Sequence, residues 1–232
     1  TKTDQISFTY TPSNPKFIME GNEAIAFGAL YSGVKFFAGY PITPSTEIMH
    51  WLSRYLPKYG GVVMQMEDEL ASINAVVGAS FGGVKSMTAT SGPGISLMNE
   101  SIGLASITEL PIVVVNVQRA GPSTGIPTKT EQSDLMQAIW GSHGDSARVV
   151  IAPSDVEDCF DTAVLSFYIA EKYQMPVVLL SDSFIGHRKE SFDTRRLLDK
   201  DYGFKKVNQR LLPAPGELKD FKRYEYTDSG VS

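Results

Sequence analysis

Residues 86–98 read SMTATSGPGISLM, a short run of apolar and threonine residues followed by a glycine-rich turn and a second apolar segment. The run before the turn is typical of a buried strand, and the turn is typical of the connection from a strand into a helix. A strand joined to a helix in this way is the repeating unit of α/β folds. The segment therefore predicts an α/β architecture.

The same alternation continues along the chain from Gly21 onward. Helical patterns are separated by short, partly β-branched runs bounded by Gly, Pro or Ser, as in strands of a parallel sheet. Six strands are predicted, at residues 34–38, 62–66, 86–90, 112–117, 148–151 and 177–181. We expect a doubly wound, mostly parallel six-stranded sheet with helices on both faces.

One predicted helix, at residues 68–82, carries two stripes of residues at helical spacing. Large apolar residues form the first stripe: Leu70, Ile73, Val77 and Phe81. Small residues form the second stripe: Ala71, Ala75, Gly78, Ala79 and Gly82. Because both stripes are apolar or small, we expect this helix to be buried, with a neighbouring backbone or a flat ligand close to its small side.

The chain has 232 residues, of which 42% are hydrophobic, and this is enough for one sizeable core with an extension. We assign residues 17–192 to the α/β domain and residues 1–16 to an N-terminal extension. Residues 193–232 are rich in charged side chains and show no sustained period. We expect them to be a linker or arm toward a missing second domain of a longer polypeptide.

Charge and cysteine content exclude several classes of function. The net charge of -5 gives no basic field for phosphate backbones, so we expect no nucleic-acid partner. No apolar run approaches the length of a membrane span, so we expect a cytoplasmic protein. Cys159 is the only cysteine, which argues against a disulfide, a zinc cluster or an iron–sulfur cluster within the chain. Any electron carrier is therefore expected on another chain.

In open parallel sheets, ligands bind beyond the carboxyl ends of the strands, which directs attention to the loops there. After the first strand, Thr43 lies between Pro41 and Pro44, and we expect an extended, rigid loop that leaves its hydroxyl available. A turn without a functional role is the simpler interpretation of this segment alone. After the second strand, Glu69 begins the helix that we expect to be buried, and its side chain is predicted to point into a site shielded from water.

The next two strands end in loops suited to anions. The turn at Gly92 and Gly94 can expose backbone N–H groups, although such a turn is also a common way to pass from a strand to a helix. It lacks the lysine of a P-loop and the third glycine of a dinucleotide fingerprint. Arg119 lies among hydroxyl-bearing residues, where it could form a bidentate clamp for a carboxylate or a surface ion pair.

Together these segments read YPITP at 40–44, EDELAS at 67–72, TSGPGISLM at 90–98 and QRAGPSTG at 118–125. In this order they resemble the alpha subunit of 2-oxoacid:ferredoxin oxidoreductases, particularly the 2-oxoglutarate type. The resemblance implies the pyrimidine-binding fold of thiamine diphosphate enzymes. It also implies oxidative decarboxylation of a 2-oxoacid to acyl-CoA, with electrons passed to ferredoxin and with no activity of the chain alone.

The resemblance also implies roles for individual residues. Glu69 matches the family's catalytic glutamate, whose carboxyl bonds to ring nitrogen N1′ of the cofactor and favours its imino tautomer. Arg119 matches the residue that anchors the substrate's 1-carboxylate, and Thr43 matches a hydroxyl near that group. The cofactor-binding residues implied are Glu69, Tyr40, Pro41, Ser91, Gly92 and Gly94. The substrate-binding residues implied are Thr43, Arg119, Thr124 and Thr128.

The rest of the enzyme is implied to reside on other chains. In the family the beta subunit holds the diphosphate, its magnesium and an iron–sulfur cluster, and this sequence has no Gly-Asp-Gly…Asn signature for the magnesium. We therefore expect no metal site in the chain, a hetero-oligomer with a beta subunit, gamma and delta subunits as further candidates, and ferredoxin and coenzyme A as reaction partners. The alternatives are the pyrimidine-binding half of a 2-oxoacid dehydrogenase or transketolase, and a non-catalytic flavodoxin-like module.

Overall fold

Our computed structural model describes residues 16–193 and Asp228. The strands are β1 (Lys16–Glu20), β2 (Phe36–Gly39), β3 (Val62–Gln65), β4 (Ser86–Thr90), β5 (Ile112–Gln118), β6 (Val149–Ile151), β7 (Val177–Asp182) and β8 (Lys189–Asp193). The α-helices are α1 (Gly21–Tyr31), α2 (Thr46–Tyr55), α3 (Glu69–Phe81), α4 (Pro93–Ile107), α5 (Leu135–Trp140), α6 (Val156–Tyr173) and α7 (Ser183–His187). Within these residues, no helix has both the length and the apolar character needed to cross a membrane.

The main sheet has six strands in the order β3-β2-β4-β5-β7-β6. All of its pairings are parallel, so the six predicted strands and their parallel arrangement are confirmed. The chain direction across the sheet reverses between β2 and β4: one side contains β2 and β3, and the other contains β4, β5, β7 and β6, as in the doubly wound arrangement that the sequence predicts. The carboxyl ends of β2, β3, β4 and β5 consequently lie on one edge of the sheet.

Alternating side chains of the central strand β5 separate two layers of core. Val113, Val115 and Val117 belong to one cluster, which contains buried residues of α1, α2 and α6. Ile112 and Val114 belong to the other, which contains buried residues of α3 and α4. Because successive side chains of a strand point to opposite faces, this division confirms that helices cover both faces of the sheet.

Helix α3 is only half-buried, so the prediction that both of its stripes are buried is wrong for the described part of the chain. Ile73 is fully buried, but Leu70 and Phe81 are 45% and 79% exposed. On the small-residue side, a side chain added at Gly78 would have nothing within 4 Å. A helix in the outer layer of a sheet can bury only one stripe, and spacing alone does not identify which stripe faces inward.

A second, two-stranded sheet is a feature that the sequence did not predict. Strands β1 and β8 pair antiparallel, from Lys16 opposite Asp193 to Glu20 opposite Lys189, and so join the two ends of the α/β domain. An ion pair of 3.3 Å links the side chains of Glu20 and Lys189. The assigned N-terminal extension, apart from Lys16, and the assigned arm, apart from Asp193 and Asp228, lie outside the described residues.

Candidate active site

Arg119 is the point at which the loops after β2 and β5 meet. It directly follows β5 and is only 5% exposed. Its Nη1 donates a hydrogen bond of 2.7 Å to the carbonyl oxygen of Thr43, and its Nη2 donates one of 2.6 Å to the carbonyl oxygen of Thr124. Burial lowers the pKa of Arg119 below its ordinary value, and the nearby charge of Glu69 opposes this shift. The sequence-predicted residues Thr43, Glu69, Arg119 and Thr124 are therefore neighbours.

Glu69 is the first residue of α3, and the residues before it explain its burial. Asp68 is the N-cap, with a carboxylate oxygen that accepts a 2.7 Å hydrogen bond from the backbone N–H of Ala71. Asp68 and Glu67 are exposed, whereas Glu69 is only 7% exposed. The helix therefore takes its solvent-exposed acidic cap from Asp68. Glu69 points into the protein, as the sequence predicts.

The glycine turn closes over Glu69. A Cβ atom added to Gly94 would overlap Oγ1 of Thr90 and would lie 3.0 Å from Oε1 of Glu69. A side chain at this position is thus excluded chiefly by the hydroxyl of Thr90, with the side chain of Glu69 also in close contact. Gly92 has a φ angle of +39°, and a Cβ atom there would lie 3.7 Å from Nε of Arg119. The turn therefore packs against both Glu69 and Arg119.

Two hydroxyls in this turn are buried without a hydrogen-bond partner among the described residues. They are Oγ1 of Thr90 and Oγ of Ser91, and Nε of Arg119 is in the same condition. Buried polar groups are almost always paired in folded proteins, with water or a ligand when the protein supplies no partner. Together with the glycine turn, these groups fit a polar ligand next to Glu69.

The loop at 40–44 is bent more sharply than the sequence predicts. Residues 43–45 form a turn, because both the backbone N–H and the hydroxyl of Ser45 donate 2.9 Å hydrogen bonds to the carbonyl oxygen of Ile42. The prediction of an extended loop is therefore wrong over these residues. Asn22 of α1, which the sequence analysis missed, donates a 2.7 Å hydrogen bond to the carbonyl oxygen of Pro44. Thr43 and Tyr40 remain exposed.

Four of the predicted site residues line two cavities. One, of about 400 Å³, is lined by Gly92 and Arg119. The other, of about 440 Å³, is lined by Thr43 and Thr128. The hydrogen bond between Arg119 and Thr43 connects the two. Glu69 lines neither cavity, and its side chain packs against Gly94.

A buried polar network that the sequence analysis missed forms one wall of the first cavity. Asp134 accepts a 3.0 Å hydrogen bond from the side chain of Asn116, and its backbone N–H donates a 2.9 Å bond to the side chain of Gln118. Asn116 and Gln118 belong to the otherwise apolar strand β5, where polar residues are the available sequence signal. No cluster of His, Cys, Asp and Glu able to hold a metal ion is found among residues 16–193.

Comparison with known proteins identifies the family. Residues 27–217 match the sequence model of the thiamine diphosphate-binding domain of pyruvate flavodoxin/ferredoxin oxidoreductases. The chain belongs to this family. The family resemblance in the loop motifs is thereby confirmed. Membership also argues against the transketolase and 2-oxoacid dehydrogenase alternatives, as the loops at 40–44 and 118–125 already did.

Two curated relatives of the chain are both named as the same subunit of 2-oxoglutarate synthase. The 2-oxoglutarate synthase subunit KorA of Methanothermobacter marburgensis is 51% identical over 209 residues, which are 89% of this chain and 54% of that protein. The subunit of the same name from Archaeoglobus fulgidus is 58% identical over 174 residues, 75% of this chain and 50% of that protein. The chain thus spans about half the length of the curated relatives that it matches.

A solved structure confirms the fold. It is the 2-oxoglutarate:ferredoxin oxidoreductase from Magnetococcus marinus with 2-oxoglutarate, coenzyme A and succinyl-CoA bound. The TM-score is 0.85 at 46% sequence identity, and the match covers 98% of this chain and 39% of the other. The predicted thiamine diphosphate pyrimidine-binding fold agrees with this match, while the roles of individual residues stay predictions.

Proposed function

We propose that this chain is the alpha subunit of a 2-oxoacid:ferredoxin oxidoreductase whose preferred substrate is 2-oxoglutarate. The observation that carries the proposal is the buried Glu69 beneath Gly94, next to Arg119, at the carboxyl ends of four parallel strands. The names of the relatives supply the choice of 2-oxoglutarate. The reaction would convert 2-oxoglutarate, coenzyme A and two oxidised ferredoxins into succinyl-CoA, carbon dioxide, a proton and two reduced ferredoxins.

Thiamine diphosphate, when bound, supplies the electron sink that a 2-oxoacid needs for decarboxylation. In this chain, Glu69 would hold a proton between its carboxyl oxygen and ring nitrogen N1′. The burial of Glu69 next to Gly94 favours that role, because it limits the access of water to the carboxyl. Tyr40, Pro41, Ser91, Gly92 and Gly94 would complete this side of the cofactor site. The unpaired hydroxyl of Ser91 is consistent with contact to a ligand.

Arg119 would anchor the 1-carboxylate of the substrate. A guanidinium has five N–H donors, and the bonds to Thr43 and Thr124 use two of them. The remaining donors include the unpaired Nε. The two carbonyl bonds also fix the orientation of the guanidinium, which lowers the entropic cost of binding. Thr43, Thr124 and Thr128 would contribute hydroxyls near the same group.

The other components of the enzyme would come from other chains. A beta subunit would hold the diphosphate, its magnesium and an iron–sulfur cluster, since Cys159 is the only cysteine in this sequence. Gamma and delta subunits and ferredoxin would be further partners, and the complex would be cytoplasmic. The isolated chain is then expected to bind thiamine diphosphate poorly and to be inactive.

The test is an assay of the assembled complex. Coenzyme A-dependent reduction of ferredoxin is measured with 2-oxoglutarate, pyruvate and 2-oxoisovalerate side by side. We expect kcat/KM for 2-oxoglutarate to exceed the other two values by at least about tenfold. Preference for another 2-oxoacid would correct the substrate, and no ferredoxin reduction with any of them would contradict the enzyme class. A non-catalytic module predicts no reduction at all.

A further inference from the structure

The cavity that contains Thr43 also has lining residues that the proposed function does not use. Its lining includes hydroxyl groups and two basic side chains: Thr43, Thr128, Thr130, Ser183, His187 and Arg188. No acidic side chain is among the described residues that line it. Hydroxyls and cations without carboxylates are the usual surroundings of a bound phosphate or carboxylate. At about 440 Å³, the cavity is within the size range of small-molecule sites.

Hydrogen bonds hold the two walls of this cavity together. The hydroxyls of Thr130 and Ser183 are 2.8 Å apart, and the side chain of Gln132 donates a 2.6 Å bond to Oδ2 of Asp182. The other carboxylate oxygen of Asp182 accepts bonds from the backbone N–H groups of Phe184 and Ile185. The loop after β5 is therefore tied to α7 without any ligand. A preformed cavity binds its ligand at a lower entropic cost.

Arg188 has donors left for an anion. Its Nη2 pairs with Glu190 at 2.6 Å, but both side chains are partly exposed, and exposed ion pairs contribute little. The guanidinium also lies 5.8 Å from the ring centroid of Phe184, which is 60% exposed. His187 adds a second exposed nitrogen group one residue away. The cavity thus has a basic rim beside an exposed aromatic face.

We propose that this cavity is an oxyanion subsite for a co-substrate, with Arg188 and His187 as its specificity-determining residues. Two sources of the oxyanion match the reaction: a phosphate of coenzyme A, and the far carboxylate of a dicarboxylic 2-oxoacid. The inference rests on the proposed function, because Thr43 belongs to both the cavity and the substrate clamp. It adds a recognition role for α7 and for the residue that follows it.

Calorimetry on the assembled complex, prepared without thiamine diphosphate so that nothing turns over, tests the subsite. The ligands are coenzyme A, 2-oxoglutarate and 2-oxopentanoate, which has the same chain length as 2-oxoglutarate but no far carboxylate. The variants are Arg188→Gln and His187→Gln. Lys189→Gln is the matched control, since it removes a positive charge from the neighbouring residue, whose partner is Glu20 outside the cavity.

If the cavity binds a phosphate of coenzyme A, Arg188→Gln should raise the Kd of coenzyme A about tenfold and leave the Kd of 2-oxoglutarate unchanged. If the cavity binds the far carboxylate of 2-oxoglutarate, Arg188→Gln should raise the Kd of 2-oxoglutarate about tenfold and leave the Kd of 2-oxopentanoate unchanged. In either case His187→Gln should raise the same Kd about threefold. The subsite is wrong if both variants stay within about twofold of Lys189→Gln for all three ligands. Absence of ferredoxin reduction by the wild-type complex would instead contradict the proposed function, on which the subsite rests.

Discussion

Nη1 of Arg119 donates a 2.7 Å hydrogen bond to the carbonyl oxygen of Thr43, across 76 residues of sequence. A second bond from the same guanidinium fixes the carbonyl of Thr124. The residue predicted to bind the substrate is therefore also the residue that holds two loops of the site in place. A change at Arg119 should affect both stability and substrate use.

Arg119→Lys tests how much the two carbonyl hydrogen bonds stabilise the fold while the positive charge is kept. Lysine keeps the positive charge but lacks the fork that reaches two carbonyls at once, so one of the two carbonyl hydrogen bonds is lost. We expect the free energy of unfolding of the full chain, measured by urea denaturation, to fall by about 1–3 kcal/mol. Arg54→Lys on the exposed surface of α2 is the control and should change it by less than about 0.5 kcal/mol. Equal values for both variants would show that the carbonyl bonds are unimportant.

Glu69→Gln tests the proposed proton-holding role. An amide cannot accept and return the proton as a carboxyl does, so exchange of the C2 proton of thiamine diphosphate should slow by about 100-fold or more in the assembled complex. Proton NMR in deuterated buffer measures this rate. Glu67→Gln removes an exposed carboxylate two residues away and should leave the rate unchanged. Unchanged exchange in Glu69→Gln would remove Glu69 from the mechanism.

Gly94→Ala and Gly78→Ala form a pair that tests the close contact over Glu69. The added methyl group at Gly94 would overlap Oγ1 of Thr90, and we expect a loss of about 1–3 kcal/mol in the free energy of unfolding. At Gly78 nothing lies within 4 Å, and alanine favours the helix. That variant should be more stable than the wild type by up to about 1 kcal/mol. Urea denaturation of the full chain compares them, and tolerance of Gly94→Ala would mean that the turn is looser than described.

Cys159 gives a prediction for alkaline pH. Burial, followed by the charges of Asp158 and Asp155, raises the pKa of its thiol well above the ordinary value. The stabilisation that results is fully present below the thiol pKa of the unfolded chain, about 9, and is lost progressively as the pH rises above it. The free energy of unfolding should therefore fall by up to about 1.4 kcal/mol per pH unit there.

Comparison with Cys159→Ala isolates this contribution, because other groups also titrate at high pH. The difference in the free energy of unfolding between the two proteins should decrease from pH 9 to pH 10. A difference that stays constant would mean that the thiol ionises in the folded protein. As an independent check, the native chain should react slowly with a thiol reagent and the unfolded chain rapidly.

The local sequence pattern was enough to predict the six strands and the buried position of Glu69. The runs at 86–90 and 112–117 are buried strands because the parallel sheet is covered on both faces, and such strands have a continuous apolar pattern. The carboxyl ends of parallel strands share an edge, so the convergence of the loops of Glu69, Gly94 and Arg119 followed from the predicted parallel arrangement. The buried position of Glu69 followed from where α3 begins.

Only the tertiary structure decided which groups these residues contact. Arg119 bonds to the carbonyl of Thr43, and a backbone carbonyl has no signature in the sequence because every residue carries one. The cavity beside His187 and Arg188 needs the loop after β5 to dock on α7. The pairing of β1 with β8 joins segments far apart in the chain. Periodicity describes one segment at a time, whereas these contacts depend on how two distant segments pack.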